Sequence, residues 1–130
     1  MIASYFSDTE LACRCGCNLM QFHPGFLDEL EKLRIAFNEP MHVNSGCRCL
    51  KHNRDVGGTE KSLHIGDRPQ HPGQKGTLAI DIQSMNGTYR GRLFSIAWDF
   101  GWSVGWHSRP AFLHLDRRVD LGLPQTTFDY

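Results

Sequence analysis

Two helical periods and several short alternating runs organise the chain. Residues 23–40, "HPGFLDELEKLRIAFNEP", carry Phe26, Leu30, Leu33 and Phe37 on one stripe, the spacing of an amphipathic helix. Pro24 suits a first turn and Pro40 closes the segment. Residues 88–101, "TYRGRLFSIAWDFG", repeat the pattern through Tyr89, Leu93, Ile96, Ala97 and Phe100, with Gly101 at the end. "MHVNS" (41–45), "TLAIDI" (77–82), "SVGW" (103–106) and "FLHLD" (112–116) read as strands. Helices and short strands without a regular βαβ rhythm predict an α+β fold, a small and mainly antiparallel sheet flanked by helices. No repeat, low-complexity tract or linker interrupts residues 1–130, which read as one domain with a short Cys-rich N-terminal segment and a C-terminal tail.

The polar positions inside two of those strands stand out. Strand side chains alternate, so Leu78, Ile80 and Ile82 share one face and Ala79 and Asp81 the other. In the last run Leu113 and Leu115 oppose Phe112, His114 and Asp116. One reading is a solvated outer face. The other is a strand that presents a histidine and an acid to a cleft. His64, in "KSLHIGD" beyond the Gly57-Gly58 turn, supplies a second imidazole. Two imidazoles and one carboxylate, His64, Asp81 and His114, would leave zinc a fourth position open to water, the pattern of a catalytic metal.

Composition excludes some partners. Apolar residues make up 40% of the 130 and charged residues 22%, ordinary for a globular chain. Fourteen basic residues balance fourteen acidic ones, so bulk charge draws the protein neither to nucleic acid nor to an anionic membrane. The apolar runs are far shorter than the ~20 residues of a membrane span. "MIASYFSDTE" lacks the basic-then-apolar order of a signal peptide, so no leader is expected.

Five cysteines fall in two clusters, Cys13, Cys15 and Cys17 in "CRCGC" and Cys47 and Cys49 in "CRC". The odd count argues against a fully paired disulfide framework. A structural zinc joining the clusters, one disulfide between them, and reduced packing thiols all remain open, since Cys-x-Cys is not the usual zinc-knuckle spacing. The clusters are expected to lie close together and clamp the N-terminal segment.

The order "SGCRC..HN..VGG...S.H", then "AIDI", then "SVGW" and "FLHLD", resembles the zinc D-Ala-D-Ala metallopeptidase family. That family includes D,D-carboxypeptidases, phage endolysins and murein endopeptidases, and shares its fold with the Hedgehog signalling domain. The resemblance runs from about residue 6 to residue 118. It implies zinc on His64, Asp81 and His114, a substrate carboxylate or carbonyl on Arg48, and a substrate-side role for Ser62. Two departures accompany it. The family pattern His-x-x-Gly-x-Ala-x-Asp is opened here by the insertion "GDRPQHPGQKG", so that Asp81 follows His64 by 17 residues. The insertion reads as a surface loop, able to overhang the cleft, with His71 as an alternative ligand. Where several relatives place an acid before the last ligand stands Ala111, which leaves Asp116 or His107 as the base or as a partner holding a ligand.

The implied activity is zinc-dependent hydrolysis of a peptidoglycan stem-peptide or cross-link amide by a phage-encoded protein. The expected locations are host cytoplasm before lysis or the virion. The alternative is a weakly active structural component of a phage tail or baseplate that keeps the metallopeptidase fold.

Overall fold

The computed structural model describes residues 5–130. Its elements run α1 (Asp8–Leu11), α2 (Phe26–Phe37), β1 (Val43–Ser45), α3 (Leu50–Asp55), β2 (Ala79–Gln83), α4 (Gly87–Asp99), β3 (Ser103–Ser108), β4 (Ala111–Asp116), a 3-10 turn (Arg118–Leu121) and β5 (Thr127–Asp129). The five strands form one sheet in the order β1-β2-β4-β3-β5, antiparallel except where β5 runs parallel to β3. The architecture is α+β, as the sequence predicts.

Register decides what each face of the sheet carries. Ile80 and Ile82 on β2 stand opposite Leu115 and Leu113 on β4, which stand opposite Val104 and Trp106 on β3. These side chains meet the stripe of α2, whose Phe26, Leu30, Leu33 and Phe37 are fully buried, and Leu93 and Ala97 of α4. The opposite face aligns Asp81 with His114 and Gly105, and Ala79 with Asp116 and Ser103. It is not solvated: Asp81, His114 and Asp116 are all buried. The solvated-face reading of "FLHLD" is therefore replaced by a covered polar face.

Several boundaries differ from expectation for local reasons. Pro24 precedes the N-cap Gly25 instead of lying in the first turn of α2. β2 starts at Ala79 because Thr77 is taken up elsewhere; it bridges to Phe22 and its hydroxyl donates to the His64 carbonyl at 2.7 Å. Phe100 caps α4 and is exposed, while Trp102 just beyond it is fully buried. The short elements α1, α3 and β5 lack a readable period. A capping box holds α1, with Ser7 Oγ accepting from the Glu10 amide and Glu10 accepting from the Ser7 amide. β5 owes its place to pairing with β3. The insertion at 66–76 is anchored at both ends: the Leu50 amide donates to Asp67 at 3.0 Å, and buried Gln74 donates to the Ile65 and Gly76 carbonyls.

Candidate metal centre and cleft

Two strands and one loop converge on a buried cluster. β2 contributes Asp81, β4 contributes His114, and the segment before the insertion contributes His64. One ligating atom from each lies within 4.8 Å of the others. His64 Nε2 and His114 Nδ1 both stand 3.1 Å from Asp81 Oδ1.

The protonation logic of this cluster fits a cation. His64 Nδ1 is 2.8 Å from the Gly46 carbonyl, which only accepts, so the ring carries its hydrogen there. Burial pushes His64 below its ordinary value, toward the neutral ring, against the opposing charge of Asp81. Its Nε2 lone pair therefore faces an Asp81 oxygen. Burial drives the Asp81 carboxyl upward, but the two imidazoles outweigh it and hold the group well below the usual carboxylate range. A lone pair against a carboxylate oxygen is an unfavourable opposition that a divalent cation between them would convert into two bonds. Neutral imidazole and carboxylate are also the donor set that zinc accepts.

His114 is held from behind. Its Nε2 donates to Asp116 Oδ2 at 2.9 Å, leaving Nδ1 toward Asp81. Burial lowers the affinity of this ring for its second proton, but hydrogen bonds to Asp116 and Asp81 prevail and raise it. Asp116 is fully buried, and the Arg118 guanidinium grips it bidentately at 2.9 and 2.7 Å. Burial raises the Asp116 carboxyl, yet Arg118 and His114 bring it down to about 2. Of the two readings of Asp116, this geometry matches the partner that orients a ligand.

Arg48 lies on the other side. Its Nη2 donates to Asp81 Oδ2 at 3.4 Å, its Nη1 to Asn53 Oδ1 at 3.1 Å, and its Nε to Ser45 Oγ at 3.0 Å. Those bonds use three of the five guanidinium hydrogens, and the Tyr130 side chain also hydrogen-bonds with Arg48. Ser62 Oγ accepts from the His64 amide at 3.2 Å, so it braces that histidine as well as lining the cleft. His107 stacks on Phe112 with ring centres 4.4 Å apart and donates from Nδ1 to the Pro110 carbonyl at 2.7 Å. His71 lines the cleft, but its Nε2 lies 3.2 Å from the Lys61 carbonyl and it stands outside the three-residue cluster.

These groups border a cleft of about 670 Å³ that is shared by Arg48, Ser62, His107, His114 and the C-terminal residues. Phe128 and Tyr130 cover His114, with ring centres 5.4 and 4.7 Å away. Sequence reasoning did not foresee this cover, because residues 127–130 show no period. Gly105 makes it possible: a Cβ there would lie 2.7 Å from the Phe128 ring and 3.2 Å from His114 Cβ. Buried Asn53, within "HN..VGG", holds Arg48 and is a further residue of the site beyond those that the sequence pattern assigns. Gly58 packs on it so closely that a Cβ would sit 2.2 Å from Asn53 Oδ1.

The five cysteines divide unequally. The sulfurs of Cys13, Cys15, Cys17 and Cys49 gather in one group, bringing together the two sequence clusters. Cys47 is buried apart from them and turns its thiol toward the Gln21 carbonyl at 3.8 Å. None of the five is disulfide-bonded.

Comparison with known proteins agrees with this chemistry. No curated protein sequence matches the chain. The family model described as Peptidase M15 matches residues 4–116, a span that holds His64, Asp81, His114, Asp116 and Arg48 and ends before β5. The chain therefore belongs to the Peptidase M15 family, the zinc D-Ala-D-Ala carboxypeptidase-like metallopeptidases.

Proposed function

We propose that this protein is a zinc-dependent peptidase, phage-encoded, that hydrolyses a stem-peptide or cross-link amide of peptidoglycan. The observation that carries the reading is the buried His64, Asp81 and His114 cluster beside a cleft with Arg48 on its wall. Zinc bound there would polarise a scissile carbonyl and make a water acidic enough to attack it.

The chain's own residues supply the rest. The Arg48 guanidinium, which lines the cleft, suits a substrate carboxylate or carbonyl oxygen, which such a planar group binds well. Asn53, Ser45 and Asp81 hold that guanidinium in place before substrate arrives, so little ordering cost accompanies binding. His107, with Nδ1 fixed on the Pro110 carbonyl, lines the cleft and is suited to take a proton and return it to the leaving amine. Phe112, Phe128 and Tyr130 form an apolar rim that limits water around the reacting amide.

The test is digestion of purified peptidoglycan, with and without a chelator, followed by mass spectrometry of the released muropeptides. New peptide termini that vanish with chelator, and with His114→Ala, are expected. Intact peptidoglycan with a fully zinc-loaded protein would overturn the reading and favour a structural role in the phage particle.

A further inference from the structure

We infer that Cys13, Cys15, Cys17 and Cys49 form a second, closed zinc site that is independent of the catalytic one. The four sulfurs lie within 4.8 Å of one another, although Cys49 is 34 residues from Cys15 in the chain. Two of the separations are 3.6 Å (Cys13 to Cys15) and 3.7 Å (Cys15 to Cys49). Zinc–thiolate bonds of about 2.3 Å in a tetrahedron place sulfurs about 3.8 Å apart, whereas a disulfide needs about 2.05 Å. The spacing is therefore that of ligands around a common centre.

The surroundings match thiolate ligands. The Cys49 amide donates to Cys13 Sγ, and the His52 amide to Cys49 Sγ, both at 3.3 Å. Amide donors to sulfur favour the anionic form and orient it. The backbone prepares the loop independently: the Cys13 amide donates to the Leu19 carbonyl at 2.8 Å, closing the turn that carries Cys15 and Cys17. The Cys47 amide donates to the Leu11 carbonyl at 2.9 Å and draws the second cluster alongside. Cys47 itself stays out, which leaves four donors, the number a closed tetrahedral site requires. Binding replaces four S–H bonds by four zinc–sulfur bonds and releases the protons to solvent, with no change of oxidation state.

Four protein ligands leave no position for water, so the role is structural. Cys49 adjoins Arg48, whose amide donates to the His64 carbonyl at 2.8 Å. The ion would thus pin the N-terminal loop to the segment entering α3, which carries both the substrate arginine and a contact to the first catalytic ligand.

The experiment is metal analysis of the full chain purified under reducing conditions, beside His64→Ala and Cys15→Ser/Cys17→Ser. About two zinc ions per wild-type chain are expected, the number of complete ligand sets. His64→Ala should keep about one, which a mercurial thiol reagent releases, and its cobalt form should show the charge-transfer absorption of a tetrathiolate. The double cysteine variant should lose that ion. Should this variant not fold, the mercurial and cobalt measurements on His64→Ala decide alone. A His64→Ala chain with no zinc, a disulfide among these four cysteines under reducing conditions, or iron in place of zinc would each overturn the proposal. None of these outcomes depends on whether the protein cleaves peptidoglycan.

Discussion

Both oxygens of Asp116 are engaged, by His114 and by Arg118, and neither reaches solvent. An acid so placed can steer a ligand but is poorly placed to shuttle protons. Asp116→Asn should lower zinc affinity about 10- to 100-fold, as measured by competition with a chelator, and leave turnover at saturating zinc close to normal. Normal zinc affinity with collapsed turnover would instead return Asp116 to proton transfer. His107 makes the complementary case, with one nitrogen fixed by the Pro110 carbonyl and the other on the cleft wall. His107→Ala should cut kcat by about 10²- to 10⁴-fold while zinc content stays unchanged. An active His107→Ala variant would remove the residue from the chemistry.

Among the elements, β5 has the least sequence signal and a direct effect on the cleft. It pairs with β3 over Val104, Gly105 and Trp106, and thereby brings Phe128 and Tyr130 over His114. Gly105 is the hinge of that arrangement, since its missing side chain is the space into which the Phe128 ring fits. Gly105→Ala should overpack the contact by about 1–3 kcal/mol, seen as a lower Tm, and should raise KM as the rim is displaced. A variant with unchanged Tm and KM would show that β5 covers the site without shaping it.

At the scale of the whole molecule, stability couples to pH through the buried carboxylates. In the folded chain Asp116 titrates near 2, below its unfolded value of about 3.9. A depressed folded value means that the unfolded state binds the proton more readily, so the contribution is complete above about pH 5 and lost as pH falls toward 2. Asp81 is shifted the same way. Urea unfolding of the metal-free chain should therefore show stability dropping between about pH 5 and pH 3, with a shallower drop in Asp116→Asn. Equal slopes in the two proteins would mean that the Asp116 network contributes nothing to acid sensitivity. Among the described residues no helix is long and apolar enough to cross a membrane.

Local pattern was enough for part of this protein. The stripe of Phe26, Leu30, Leu33 and Phe37 determined a helix and its buried face, because helical period and burial coincide there. The alternation in "FLHLD" likewise determined that His114 and Asp116 share a face, since strand geometry allows nothing else. The polar positions and spacing singled out His64, Asp81 and His114, and the family resemblance added Arg48 to the set. Only the tertiary structure decided what each set member touches. Register aligned Asp81 with His114 across β2 and β4, and the same packing put Asp116 behind the ring and out of solvent. Folding also chose four of five cysteines, excluding Cys47, because which sulfurs meet depends on a loop closure between residues far apart in the chain. The cover from β5 was equally invisible beforehand. A three-residue strand has no period of its own, and its place comes from the edge of β3 and the gap left by Gly105.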